Sequence, residues 1–136
     1  MNELETIRHM DSRALSRLFR SLAKLELTVV KSPEAGLIMV SVTDPFRVDF
    51  HLGEALVTEA IVEYRGVKGY GIILGDDPKR ALAVASVDAI IRSGSPEKAR
   101  IVKSLEMEQK KIANVRRQEQ ILVESTRVSF ESMVEG

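Results

Sequence analysis

The chain has 136 residues and no net charge, because 20 lysines and arginines balance 20 aspartates and glutamates. This length is typical of one domain that buries its own core without a metal or a disulfide. The absence of cysteine excludes disulfides, thiolate zinc sites, iron–sulfur ligation and a cysteine nucleophile. The zero net charge and the six scattered aromatic residues argue against nucleic-acid binding.

The apolar runs in the sequence are too short for a membrane span. They extend over only a few residues, whereas a bilayer requires ~20. The N-terminus carries charges at Glu3, Glu5 and Arg8, where a signal peptide would be apolar. We therefore expect a soluble, cytoplasmic chain with no membrane insertion.

The first 25 residues predict an amphipathic helix, because apolar residues recur every three or four positions. These positions are Ile7, Met10, Ala14, Leu18, Leu22 and Leu25. Asp11 or Ser12 could instead cap a shorter helix. A basic stripe occupies another face and consists of Arg13, Arg17, Arg20 and Lys24. We interpret it mainly as a solvated face, and alternatively as a docking surface for an acidic partner or a phosphate-bearing ligand.

The middle of the chain predicts an antiparallel sheet of about four strands. Residues 28–31 and 36–43 are β-rich runs joined by Ser-Pro-Glu-Ala, which indicates a hairpin. Residues 46–50 and 54–64 alternate between apolar and polar side chains, as strands with one covered face do. Arg65-Gly66 then predicts a tight turn into a last strand over residues 68–74.

A central helix is predicted over residues 79–92, directly after the sheet. Pro78 suits the first helical position, and Asp77 before it can accept free amide hydrogens. The helix is apolar almost all round, so we expect it to pack on the sheet. Gly94 and Pro96 end it.

Residues 97–135 form a long helical region, since they contain no glycine or proline. One continuous helix would run on the order of 55 Å, beyond the ~30 Å diameter of a small domain. We therefore predict a partner-binding region here, either as one helix or as two helices with a break near residues 104–106. The apolar stripe of this region is Ile101, Leu105, Ile112, Val115 and Leu122.

The glycines near the end of the sheet superficially resemble a phosphate loop. However, Asp76 and Asp77 stand where a phosphate would need free amide hydrogens. We therefore interpret Gly69 and Gly71 as positions of close backbone approach. We interpret the two aspartates as a helix cap rather than as ligands of a divalent ion.

Asp88 is a carboxylate in an otherwise apolar helix. Arg92 lies one turn later and Arg80 two turns earlier, so we interpret Asp88 mainly as a structural ion pair and alternatively as a ligand contact. We find no spacing typical of a metal site and no serine in a nucleophile-elbow context. We predict no catalytic residue, metal or cofactor in this chain.

Several blocks of sequence carry a family resemblance. They comprise Leu52, Gly53 and Glu54; Gly69, Tyr70 and Gly71; Gly75 and Asp76; Asp88; and, near the end, Arg127, Phe130 and Met133. With these blocks in compatible order from about residue 36 onward, the chain resembles the PhnG family, which belongs to the bacterial carbon–phosphorus lyase system. The last block departs from the family pattern, since Glu135 stands where relatives often have arginine.

The resemblance implies a role in using phosphonates as a phosphorus source. In that system, PhnG, PhnH, PhnI and PhnJ form a core complex. With PhnL, the complex converts an alkylphosphonate and ATP into alpha-D-ribose 1-methylphosphonate 5-triphosphate and adenine. Nucleosidase chemistry is attributed chiefly to PhnI and the radical step to PhnJ, so no catalytic residue carries over to this chain.

The resemblance and the residues together predict one α+β domain over residues 1–136, with residues 97–135 binding PhnI directly. ATP would be a substrate of the complex. Two other interpretations stay open. The chain could bind a metal-nucleotide or act catalytically on its own through Asp76, Asp77 or Asp88, or it could be a helical module that self-associates through Ile112 and Leu122.

Overall fold

The fold of residues 2–135 combines four helices with a small antiparallel sheet. The computed structural model describes residues 2–135, with side chains described for residues 2–124. The elements are α1 (Glu3–His9), α2 (Ser12–Leu22), β1 (Leu27–Thr43), β2 (Asp49–Tyr64), β3 (Val67–Leu74), α3 (Pro78–Ser93) and α4 (Glu97–Glu135). The strands are ordered β1-β2-β3. The α+β class is confirmed, although the sheet in the described residues has three strands rather than about four.

The N-terminal segment forms two helices rather than one. Met10 has an extended backbone, with φ −68° and ψ 142°. Asp11 then caps α2, since its carboxylate accepts a hydrogen bond from the Ala14 amide at 2.8 Å. The shorter capped helix is therefore the correct alternative. The predicted apolar positions nevertheless all face the core, where Ile7, Met10, Ala14, Leu18 and Leu22 are buried and Leu25 is partly buried.

The predicted hairpin between residues 28–31 and 36–43 is wrong, because both runs belong to the single strand β1. Pro33 lies inside this strand, where its missing amide is tolerated because β1 is an edge strand. Register shifts between Val29 and Lys31 and between Lys31 and Glu34 accommodate the irregular backbone.

Residues 46–48 form a turn, so the strand predicted over residues 46–50 is wrong at its start. The Asp44 carboxylate accepts hydrogen bonds from the amides of Phe46 at 2.9 Å and Val48 at 2.8 Å. Arg47 has a φ of 62°, which belongs to a turn. These hydrogen bonds hold the segment in a turn despite its alternating pattern, so β2 begins only at Asp49.

The second hairpin follows the prediction. Arg65 and Gly66 have φ values of 50° and 79°, as a tight two-residue turn between β2 and β3 requires. One face of β2 is buried at Thr58, Ala60, Val62 and Tyr64. Helix α3 covers this face.

Helix α3 lies in direct backbone contact with β3. A Cβ added at Gly69 would clash with the backbone of Ala85 and Ala89, and one added at Gly71 would clash with the backbone of Ala81. These alanines are fully buried and four residues apart, so they share one face of the helix. The interpretation of both glycines as positions of close backbone approach is confirmed.

Both ends of α3 follow the sequence. Asp77 accepts a hydrogen bond from the Arg80 amide at 3.2 Å, and Pro78 occupies the first turn. Gly94 ends the helix in the left-handed conformation, with a φ of 65°.

The last helix, α4, is continuous over 39 residues, which makes it about 58 Å long at ~1.5 Å per residue. Among the described side chains of this helix, only those of the first turns are buried, at Ile101 and Leu105, whereas Val115 is 53% exposed. One long helix rather than two is therefore correct. Within the part of the chain that is described, no helix is long and apolar enough to cross a bilayer.

The glycine contacts predict a large difference between two alanine substitutions. We expect Gly69→Ala to lower the free energy of unfolding by about 3 kcal/mol, because the new methyl group would meet backbone atoms that cannot rotate away. The matched control is Gly36→Ala, whose added Cβ has no neighbour within 4 Å. It should change the free energy by less than about 1 kcal/mol. Urea unfolding measures both values, and equal losses would contradict the backbone contact.

Candidate functional site

Two of the sequence blocks meet where β3 contacts α3. The Asp88 carboxylate accepts a hydrogen bond from the Tyr70 amide at 2.9 Å and pairs with the Arg92 guanidinium at 3.0 Å. The same guanidinium lies 5.7 Å from the centre of the Tyr70 ring. Because β3 is an edge strand, Asp88 provides an acceptor for an amide that is not part of the ladder to β2. Asp88 therefore has the predicted structural ion pair, with Arg92 as the partner.

Arg80, the other candidate partner of Asp88, binds elsewhere. Its guanidinium pairs with the Asp77 carboxylate at 2.9 Å. It also donates hydrogen bonds to the carbonyl oxygens of Ile7 at 2.6 Å and Met10 at 2.8 Å. These carbonyls lie at the end of α1, where a cation is favourable. Arg80 thus joins the end of α1 to the start of α3.

Gly75 and Asp76 lie in the link between β3 and α3. The buried Thr58 hydroxyl donates a hydrogen bond to the Gly75 carbonyl at 2.6 Å and accepts one from the Asp77 amide at 3.0 Å. Gly75 has a φ of 88°, which favours glycine, and Asp76 is exposed. Sequence reasoning missed this role of Thr58, because the positions of its two partners depend on the fold.

The candidate carboxylates do not converge on one ion. Asp77 and Asp88 are eleven residues apart on α3, which places them about 16 Å apart along the helix axis. Across the described residues, no group of three or more histidine or carboxylate side chains could hold a metal. The arrangement of Asp77 and Asp88 is that of a helix cap and an ion pair.

The block Leu52, Gly53 and Glu54 lies away from Asp88, on a projecting hairpin. Strand β3 pairs only with residues 57–64 of β2. Residues 36–56 therefore continue as two strands and a turn without a third strand, and we call this segment the arm. Gly53 faces Val40 and His51 faces Ser41, so Leu52 is the extra residue of a bulge.

The last block, Arg127, Phe130 and Met133, lies outside the described side chains, as does Glu135.

The basic stripe on α2 faces two grooves. Arg17 pairs with Glu108 of α4 at 3.0 Å, and Lys111 approaches the same carboxylate at 3.5 Å. Arg13 and Arg17 line this groove of about 520 Å³ between the N-terminal helices and α4. Arg20 lines a second groove of about 560 Å³ beside Phe19. At least Arg17 is therefore part of a helix–helix contact as well as of a solvated face.

The sequence matches known proteins over most of its length. Residues 2–136 match the family described as phosphonate metabolism protein PhnG. A relative from Rhizobium meliloti (strain 1021) is 34% identical over 119 residues, which cover 83% of this chain and 73% of that protein. It is described as alpha-D-ribose 1-methylphosphonate 5-triphosphate synthase subunit PhnG.

The contacts of Asp88 predict a graded series of stability losses. Asp88→Ala removes the acceptor of the Tyr70 amide and should lower the free energy of unfolding by about 2 kcal/mol. Asp88→Asn retains an accepting oxygen and should lose about half as much, whereas Arg92→Ala should lose less than about 1 kcal/mol because Arg92 is exposed. Asp76→Ala is the exposed control. Thermal and urea unfolding test the order, and equal losses at positions 76 and 88 would contradict the structural role.

Proposed function

The chain belongs to the PhnG family, and from this membership we propose that it is a subunit of the carbon–phosphorus lyase core complex. That complex converts an alkylphosphonate and ATP into alpha-D-ribose 1-methylphosphonate 5-triphosphate and adenine during phosphonate catabolism. The observation that carries this proposal is the family match over residues 2–136, together with a relative named as a subunit of that synthase. Use of ATP supports a cytoplasmic location.

Within the complex, the proposed role of this chain is structural. Its most suitable catalytic candidates are already engaged in folding contacts. Asp77 caps α3 and binds Arg80, while Asp88 binds Arg92 and the Tyr70 amide. Moving either carboxylate onto a substrate would break contacts that hold α3 in place. The chain would therefore organise and help to complete the active site of the complex without a catalytic residue of its own. ATP would be a substrate of the complex, and this chain would bind no cofactor.

The proposed direct partner is PhnI, with PhnH and PhnJ in the core and PhnL joining for the reaction. Helix α4 supports this arrangement because it extends beyond the body of the domain. Val115 and Leu122 lie seven residues apart on one face of this helix, and both side chains are more than half exposed. An apolar helix surface of this kind is typical of a partner-binding element. We propose residues 97–135 as the region that contacts PhnI.

Co-expression tests the partner assignment. We expect the affinity-tagged chain to co-purify with PhnI in a fixed ratio that survives size-exclusion chromatography. The tagged chain co-expressed with PhnH alone provides the comparison. A direct partner is recovered in such a pairwise co-expression, without the other proteins of the core. An isolated monomer that is well behaved and recovers no PhnI would contradict the assignment.

Nucleotide binding separates this role from a stand-alone activity. We expect the isolated chain to show no saturable ATP binding by calorimetry, with or without magnesium, because Asp77 and Asp88 are held apart on α3. The same titration of Asp76→Ala is the control. Magnesium-dependent affinity that is lost in Asp76→Ala would favour a chain that binds a metal-nucleotide on its own.

A further inference from the structure

The arm, residues 36–56, exposes apolar side chains on both of its faces. On the face that α3 covers farther along the sheet, Leu37 lies opposite Leu56. On the other face, Val42 lies opposite Phe50, and Phe46 projects from the tip. The large apolar side chains of the arm that are between 43% and 88% exposed are Leu37, Ile38, Met39, Val42, Phe46, Val48, Phe50, Leu52 and Leu56.

The composition of the arm differs from that of the rest of the chain. Only four of its 21 residues are charged, compared with 36 of the other 115. Depletion of charge together with exposed aromatic and methionine side chains is typical of the centre of a protein interface. A solvated hairpin would instead carry polar side chains on at least one face.

The exposed surface of the arm is large enough for a stable interface. Its nine apolar side chains expose on the order of 1,000 Å², above the few hundred Å² usual for a patch on a monomer. That area compares with the ~800 Å² that each partner contributes to a standard protein–protein interface. A two-stranded hairpin is also only marginally stable alone in water, so burial would stabilise it.

We propose that the arm inserts into an apolar cleft of another protein of the synthase, which encloses both faces. This inference rests on the proposed function. A flat partner surface would cover one face and leave the other exposed, whereas a cleft buries Leu37 and Phe50 together. The arm therefore serves as a second attachment point, separate from α4.

The two grooves beside α2 on a second copy of this chain are too small to take up the arm. Eight residues of strand make the arm about 26 Å long and ~10 Å in its other two dimensions, or on the order of 2,500 Å³. The two grooves hold about 560 and 520 Å³ and are open to solvent. Neither of these grooves can enclose the arm, which favours a cleft on a different chain.

The charged residues at the base of the arm indicate a second property of the partner, namely the charge at the rim of its cleft. Glu34 lies directly opposite Glu59, and like charges in this position repel. Lys31 reaches the Glu59 carboxylate at 3.2 Å, while Glu34 has no ion pair among the described side chains. A cationic residue at the rim of the cleft would pair with Glu34, so we expect the partner to combine an apolar interior with a basic rim.

Two lysine variants test the insertion in the co-expressed complex. Met39, which is 71% exposed on the arm, faces Glu54, so Met39→Lys gains a cross-strand ion pair and keeps the hairpin folded. The control is Val30→Lys, since Val30 is 47% exposed on β1 and lies outside both the arm and α4. We expect Met39→Lys to reduce the recovered partner proteins about tenfold and Val30→Lys to leave recovery unchanged. Unchanged recovery for Met39→Lys, with wild-type thermal unfolding, overturns the proposal.

A photo-crosslinking amino acid in place of Phe46 identifies the occupant. We expect irradiation of the purified complex to join the arm to another protein of the synthase, and crosslinking should disappear in the isolated chain. A crosslink between two copies of this chain, or none in the complex, overturns the proposal. Failure of the proposed function is distinguishable, because the tagged wild-type chain would then recover no other synthase protein. That result would contradict both the proposed function and the insertion of the arm. Full recovery of the other proteins without a crosslink to the arm would contradict only the insertion.

Discussion

The contact between the backbones of α3 and β3 is the constraint on which the rest of the structure depends. At Gly69 and Gly71 no side chain separates helix from strand, so the alanine face of α3 lies directly on the sheet. This short separation brings the Asp88 carboxylate to the Tyr70 amide at one end of the helix. At the other end it holds the Asp77 amide against the Thr58 hydroxyl. A larger residue at either glycine would disturb both ends together.

The N-terminal helices depend on α3 through Arg80. The two carbonyl groups that accept its hydrogen bonds lie where α1 ends and the chain turns toward α2. Sequence could not predict these bonds, because any residue has a backbone carbonyl and only the folded chain shows which ones Arg80 reaches. Asp77 and Asp88 were predictable for the opposite reason. The Arg80 amide that Asp77 caps lies three residues farther along the chain, and Arg92, the ion-pair partner of Asp88, lies four residues farther, so spacing alone indicates both contacts.

Each error in the predicted strands has its own physical cause. Pro33 indicates a break between two strands until β1 is known to lie at the sheet edge, where a missing amide has little effect. Alternation over residues 46–50 indicates a strand whose one face is covered by other parts of the fold. The Asp44 carboxylate instead accepts hydrogen bonds from two amides close by in sequence, and this local preference favours a turn. The location of Leu52 and Gly53 on the arm depends on how far β2 extends past β3, which is a matter of pairing. The function could be predicted only from the resemblance of whole sequence blocks to the family, because no single cluster of described side chains indicates it.

The outer edge of strand β1 is protected unequally along its length. Near the body of the domain, Pro33 and two register shifts interrupt the edge and hinder pairing with another molecule. From Gly36 to Thr43 the outer edge contains no proline, and its side chains are apolar or neutral. A surplus of free chains would therefore offer uncharged edge strands for aggregation at high concentration. In the proposed complex a partner would cover this edge, and balanced production of the two proteins would then be a condition for the solubility of this chain.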